Sequence, residues 1–409
     1  MASRESSGFR AVRARRGVLI AGAAAVVLAA GAAAAALATN HTDAASSGAG
    51  KQAVHHTKLA ASTPACTGPA GAAYIATAGY QAFDAVSTSD CYYIQQYNVG
   101  DPQVPNTGTT DFNYAGTDEG VAISADILYF AVTGSDKVAV IDAADLVATG
   151  DGYEYPPETD IPVGINPQNL AVTPDGSQVW VADTGPQTGE PSLGGIDVIS
   201  TSTDKVTNTL PLSSDPRNIA FSPSGKTAYV TSAEGLFVIN TATMRVTDVI
   251  PGLGNPEDVT VSPDGKTVYV TNTDQGVVDV ISAAFNHVTK TIGVGQMPWQ
   301  LVLSSDGSTL YVANGDSNTV SVIAVGSGTV TNTITDNDNP VSVALTPDGS
   351  ELWVGGLNQG LITIYNTSND SLNGTFNVGY YGYGQEKNQG DGEEPTGIVL
   401  TTIPAVGSK

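Results

Sequence analysis

Acid, amide and guanidinium side chains, joined by one indole and one hydroxyl, return at one place in this chain, within two residues of a recurring proline. They are Asn169 after Pro167, Arg217 and Asn218 after Pro216, Glu257 and Asp258 after Pro256, Trp299 and Gln300 after Pro298, and Ser342 after Pro340. Glu119 takes the same place beside Asp118, where the proline is missing. Carboxylates and carboxamides brought to a common axis are oxygen donors for calcium or another hard divalent cation, and Asn169, Asn218 and Asp258 are the ligands such a site would use. The same residue types just after a turn proline also cap local backbone N–H groups, so a ring of structural caps is the competing reading.

A second set joins aromatic rings to carboxylates. Phe112 and Tyr114, then Tyr153, Glu154 and Tyr155, then Tyr380, Tyr381, Tyr383 and Glu386 lie in long segments between strands. Tyrosines beside carboxylates suit stacking on a sugar or gripping a partner protein, whereas Tyr-Gly loops can also simply pack over a channel mouth. Nucleophilic chemistry has no support: there is no Gly-x-Ser-x-Gly elbow, phosphate loop or His-Glu-x-x-His helix. Beyond the N-terminal 65 residues, His287 is the only histidine, which leaves a copper or haem centre without ligands.

Short strands with a central aromatic must position these residues. Tyr74, Tyr129, Trp180, Tyr229, Tyr269, Tyr311 and Trp353 each sit in a run such as Val268-Tyr269-Val270-Thr271, at steps of 55, 51, 49, 40, 42 and 42 residues. A period near 40–50 with strand periodicity predicts four-stranded antiparallel blades in a radial array. Within one unit, Val259-Thr260-Val261 alternates as a strand, Ser262-Pro263-Asp264-Gly265 reverses the chain, and strands follow at 268–272, 277–281 and 288–292. Pro presets the turn torsion and Gly leaves it, and copies stand at 173–176, 222–225, 304–307 and 346–349. The chain ends on a lone strand, Gly397 to Thr401, and begins with three, Ala73 to Thr77, Phe83 to Ser87 and Tyr92 to Val99. The expected fold is therefore all-β: a seven-bladed propeller closed by one C-terminal and three N-terminal strands, which removes exposed edges.

Because blade strands alternate in direction, turns after the first and third strands lie on one face, and those after the second and fourth on the other. Long inserts are expected at 101–117, 150–163 and 379–394 after fourth strands and at 183–195 after a second strand, all on one face. Loops on a rigid scaffold are where binding usually resides.

Val-Tyr-Val-Thr-Asn at 268–272, Leu-Tyr-Val-Ala-Asn at 310–314, the Ser-Pro-Asp-Gly turns and the opening prolines resemble the YVTN family of β-propeller repeat proteins across residues 72–401. The resemblance implies the fold and a bacterial-envelope setting. Through more distant lactonase-type relatives, it implies a channel metal that would polarise a carbonyl and activate water. Other distant relatives are redox subunits. The Trp-Asp and Gly-His pairs of WD40 blades are absent.

Residues 1–38 read as a signal peptide or N-terminal membrane anchor: five arginines precede the 22-residue apolar run from Gly17 to Ala38, and Ala36-Leu37-Ala38 fits cleavage before Thr39. Arg15-Arg16 also fits twin-arginine export. Residues 39–71 read as an Ala/Ser/Thr-rich tether containing His55-His56, and 402–409 as a tail. Cys66 and Cys91, the only two cysteines, are expected to pair in an exported chain.

The full chain has 16 basic and 40 acidic residues, a net charge of −24; without residues 1–38, 11 face 39, or −28. Such a body repels nucleic acid and anionic membrane, apart from the N-terminal anchor. The expectation is an exported or envelope-associated monomer that binds an envelope glycan or partner protein through Tyr114, Tyr153, Tyr155, Tyr380, Tyr381 and Tyr383. The alternatives are a metal-dependent lactonase-like hydrolase or lyase using the channel ring, and an accessory subunit of a redox enzyme.

Overall fold

The computed structural model describes residues 72–78, 82–87, 93–98, 120–124, 127–133, 135–143, 158–185, 194–336, 338–377 and 394–401. Their strands form four-stranded antiparallel sheets, each a blade counted outward from its first strand. Strands β4–β7 are Val121–Ser124, Ile127–Val132, Lys137–Asp142 and Glu158–Pro162; β8–β11 are Pro167–Val172, Gln178–Asp183, Gly195–Ser200 and Lys205–Pro211. Strands β12–β15 are Pro216–Phe221, Thr227–Ser232, Gly235–Asn240 and Arg245–Ile250; β16–β19 are Pro256–Val261, Thr267–Asn272, Val277–Ser282 and His287–Gly293. Strands β20–β23 are Pro298–Leu303, Thr309–Asn314, Thr319–Ala324 and Thr329–Thr335; β24–β27 are Pro340–Leu345, Glu351–Gly356, Leu361–Asn366 and Ser371–Asn377. The remaining sheet has the order β28-β1-β2-β3, from Glu394–Thr401, Ala72–Ala78, Ala82–Ser87 and Tyr93–Asn98.

Burial explains the sequence pattern within each sheet. Second strands are buried along almost their whole length because neighbouring sheets cover both faces; β9, β13, β17 and β21 share one burial profile. Fourth strands need only one inward apolar residue near their end, as Ile292 and Ile334 show among exposed neighbours. The recurring aromatics fill the space between sheets. Trp180 is fully buried and packs with Ile219, Ala228, Val230 and Phe237 of the next blade, while Tyr311 packs with Leu352, Val354 and Tyr365. Truncating such a ring to alanine costs about 3–5 kcal/mol.

The tight turns behave as their chemistry dictates. Gly176, Gly225, Gly265, Gly307 and Gly349 all have φ near +70°, where a Cβ is strained. In four of the five turns an aspartate oxygen gathers the turn: Asp264 Oδ1 accepts from Ser262 Oγ at 2.7 Å and from Lys266 N at 3.0 Å. Asp175, Asp306 and Asp348 repeat this. These hydrogen bonds hold the Asp264 and Asp306 carboxyls down to about 2. Ser224 replaces the aspartate in the fifth turn and meets Ser222 Oγ at 3.2 Å. Adjacent turns also abut: a Cβ built on Gly225, Gly265 or Gly307 would meet Pro174, Pro223 or Pro263 of the preceding turn.

Except in β7, fourth strands carry one extra residue against the third. In β11, β15, β19 and β23 that residue is Thr207, Thr247, Thr289 or Thr331, whose hydroxyl donates back to the carbonyl of Val198, Val238, Val280 or Val322. The bulge twists the outer edge and leaves its register fixed.

Candidate functional site: the channel mouth and the face bearing the inserts

The first strands open with a proline and lose register within three residues of it, at Pro167, Pro216, Pro256, Pro298 and Pro340. Proline has no N–H to give the ladder, so a bulge follows, and the side chains proposed for chemistry satisfy it. Asn169 Oδ1 accepts from Leu170 N at 2.7 Å, Asn218 Oδ1 from Ile219 N at 2.6 Å, and Asp258 Oδ1 from Val259 N at 2.7 Å. Two acceptors also reach the next blade: Asp258 Oδ2 accepts from Leu301 N at 2.8 Å, and Gln300 Oε1 from Val343 N at 3.3 Å. Asp258 is buried, and burial pushes its carboxyl up to about 7 against the opposing pull of those two N–H groups.

Arg217 and Glu257 clamp neighbouring blades. Arg217 Nη1 donates to Glu257 Oε2 at 2.7 Å and to the Pro256 carbonyl at 3.0 Å, with both side chains largely covered. Thr231 Oγ1 adds a 2.8 Å bond to the Glu257 carbonyl. Trp299 places its indole against Gly315, where a Cβ would stand 2.8 Å from Nε1. Ser342 is fully buried, and Glu119 lies outside the described residues. Among the described residues, no three His, Cys, Asp or Glu side chains group to hold a metal.

The second structural device on this face went unnoticed in the sequence. A glycine from the preceding inter-blade segment lies over the last side chain of the second strand: Gly254 over Asn272 and Gly295 over Asn314, so closely that a Cβ would collide. Each covered asparagine donates to the third strand, Asn272 Nδ2 to Asp279 Oδ2 at 3.1 Å and Asn314 Nδ2 to Ser321 Oγ at 3.0 Å. The sixth copy is inverted. Gly356 ends the strand, and Asp338 fills the space and accepts from Leu361 N at 3.1 Å. The final Asn of the Val-Tyr-Val-Thr-Asn run was the signal for this node. Beside it, a cleft of about 360 Å³ is lined by Gly295, Ser317, Thr319, Ser321 and Thr333.

Three long inserts are rooted on this face, between β3 and β4, between β9 and β10, and between β27 and β28. The fourth is not. Residues 150–163 were expected to follow a fourth strand, but Glu158–Pro162 is itself that strand, so the insert at 144–157 joins β6 to β7 on the opposite, tight-turn face. Ile161, buried against Val138, is the single inward apolar residue a fourth strand requires, and Asp160 is held by Lys137 Nζ at 2.9 Å. Tyr153, Glu154 and Tyr155 therefore belong to an insert rooted away from those of Tyr114, Tyr380, Tyr381 and Tyr383. All six tyrosines, together with Cys66 and Cys91, lie outside the described residues.

Residues 167–344 match the family model described as Lactonase, 7-bladed beta-propeller. Among solved structures, the chain resembles hydrazine synthase of Kuenenia stuttgartiensis, with 22% identity, a TM-score of 0.51, and 63% of this chain and 79% of that one covered. It also resembles a functionally unknown protein of Desulfotomaculum acetoxidans DSM 771, with 17% identity, a TM-score of 0.60, and coverage of 80% and 98%. At these identities the likeness is one of fold. No curated protein matches. Strand order, burial and these similarities together make the chain a β-propeller of four-stranded antiparallel blades.

Proposed function

We propose that the chain is an exported binding module whose insert-bearing face engages an envelope glycan or a partner protein. The scaffold in this reading is a seven-bladed ring of the YVTN type, closed through β28. Its support is the antiparallel pairing of Ala73 with Leu400 and Ile75 with Ile398, together with β28 lying against both β24 and β4. The observation that carries the binding reading is the contrast between the two faces. Three inserts are rooted around the channel mouth, whereas the opposite face is mostly closed by short, mutually abutting turns. The channel acceptors are already engaged with backbone: both oxygens of Asp258 and the Oδ1 of Asn169 and Asn218. Asp258 fastens two blades there, and the two asparagines cap their own strands.

The test is a glycan array and a pull-down from envelope material with the exported chain and its Tyr381→Ala/Tyr383→Ala variant. Binding by the parent that falls at least tenfold in the variant, with an unchanged melting profile, is the expected result. Equal binding by both would refute the role of this face.

The family match over 167–344 favours one second reading, hydrolysis of a lactone at the channel mouth. Turnover of a lactone panel that is abolished by Asp258→Asn in a folded protein would replace the binding reading.

A further inference from the structure

The node at the end of the second strand is altered in β9. Where Asn272 and Asn314 place an amide, the chain has Asp183, and where Asp279 and Ser321 receive that amide it has Asp197. An internal donor has been replaced by a second acid. The two carboxylates converge on Gly164. Asp197 Oδ2 accepts from Gly164 N at 2.8 Å, and a Cβ on Gly164 would lie 2.9 Å from Asp183 Cγ and 3.0 Å from its Oδ2. Both residues are 4–5% exposed, and Asp183 Oδ1 is buried with no hydrogen-bond partner. No basic side chain pairs with either among the described residues.

Two acids brought together in a dry site repel one another unless a cation or a shared proton lies between them. Asp197 Oδ1 already accepts from Thr209 Oγ1, so Asp183 Oδ1 is the open oxygen of the pair, and the Asp136 charge adds to the repulsion on Asp183. Asp136 itself caps Asn166 N at 2.9 Å from a left-handed backbone position. We propose that Asp183 and Asp197 bind a divalent, oxygen-seeking cation of the calcium class, which takes the place of the missing amide and ties β9 and β10 to the segment carrying Gly164. The site stands at the root of the 186–193 insert, beside the start of β8, where Asp183 pairs with Pro167, and does not depend on the binding function proposed above.

Calcium itself is the probe, in titration calorimetry and thermal melts of the chelator-treated chain, with Asp183→Asn as the deciding variant. The amide this substitution introduces would restore the amide–acid pair seen at Asn272 and Asp279, so the variant folds without metal. The expected result is saturable binding of one calcium per chain and a rise in Tm of about 4 °C at a hundredfold excess over Kd. In Asp183→Asn both effects vanish, while its metal-free Tm equals or exceeds that of the parent. Absence of binding by the parent would overturn the site, a proton then being the only cation it takes. Binding that survives Asp183→Asn or Asp197→Asn would overturn it as well, by placing the ion elsewhere.

Discussion

Replacing Asp258 by alanine separates a fastener from a ligand. The side chain is the acceptor for two N–H groups, Val259 in its own strand and Leu301 in the next blade. Each buried donor left without a partner costs about 1–3 kcal/mol, so the variant should lose about 2–6 kcal/mol at pH 5. The effect should shrink as pH rises. Asp258 has its carboxyl raised to about 7, so the folded state holds its proton more tightly than the unfolded chain, and the parent's stability falls between about pH 4 and pH 7. At 1.36 kcal/mol per unit of displacement, the whole loss is about 4 kcal/mol, of which about 2.5 kcal/mol falls between pH 5 and pH 8, and alanine lacks it. Denaturant melts of parent and variant at pH 5 and pH 8, each with calcium and with chelator, read the difference. A gap that narrows at pH 8 and ignores calcium identifies a fastener. Equal gaps at the two pH values, or a gap seen only with calcium, would refute the reasoning.

Two further substitutions test other parts of the architecture. Gly307→Ala places a Cβ at φ +71° and 2.9 Å from Pro263 Cδ, whereas Gly349→Ala meets nothing within 4 Å at the same φ. Thermal melts should show about 1 kcal/mol lost for Gly349→Ala and clearly more for Gly307→Ala, the excess measuring the contact between turns. Ile161→Ala should cost about 2–4 kcal/mol and speed hydrogen exchange at the Val138 amide, because Ile161 is buried in a true fourth strand; a cost under about 0.5 kcal/mol would return 158–162 to loop.

Five of the blades were legible because two independent signals agreed, an aromatic inside an apolar strand and a tight turn ending in Gly four residues before it, at Gly176, Gly225, Gly265, Gly307 and Gly349. Strand β7 was missed because an outer strand touches the core through one side chain, and Thr159-Asp160-Ile161-Pro162 offers no apolar period to read. That single error moved an insert from one face to the other. The channel residues were found but their duty was open, since a carboxylate that caps an N–H and one that binds a cation have the same letter. Only geometry separates them: Asp258 has an N–H for each oxygen, and Asp183 has an oxygen with none. The node that distinguishes Asp183 was invisible because its counterpart, Gly164, lies 19 residues earlier and reads as ordinary turn chemistry.

The threonine-capped bulges of the outer strands bear on how such molecules behave in a crowd. An outermost strand is an open template, and many copies held at one surface would meet rim to rim at high local concentration. Each bulge puts one step into its outer strand, with the hydroxyl of Thr207, Thr247, Thr289 or Thr331 turned inward to a carbonyl. In those four blades the rim offers no unbroken row of N–H and C=O groups to a second edge. The stepped rim of those four blades therefore works against sideways polymerisation whenever copies are concentrated together.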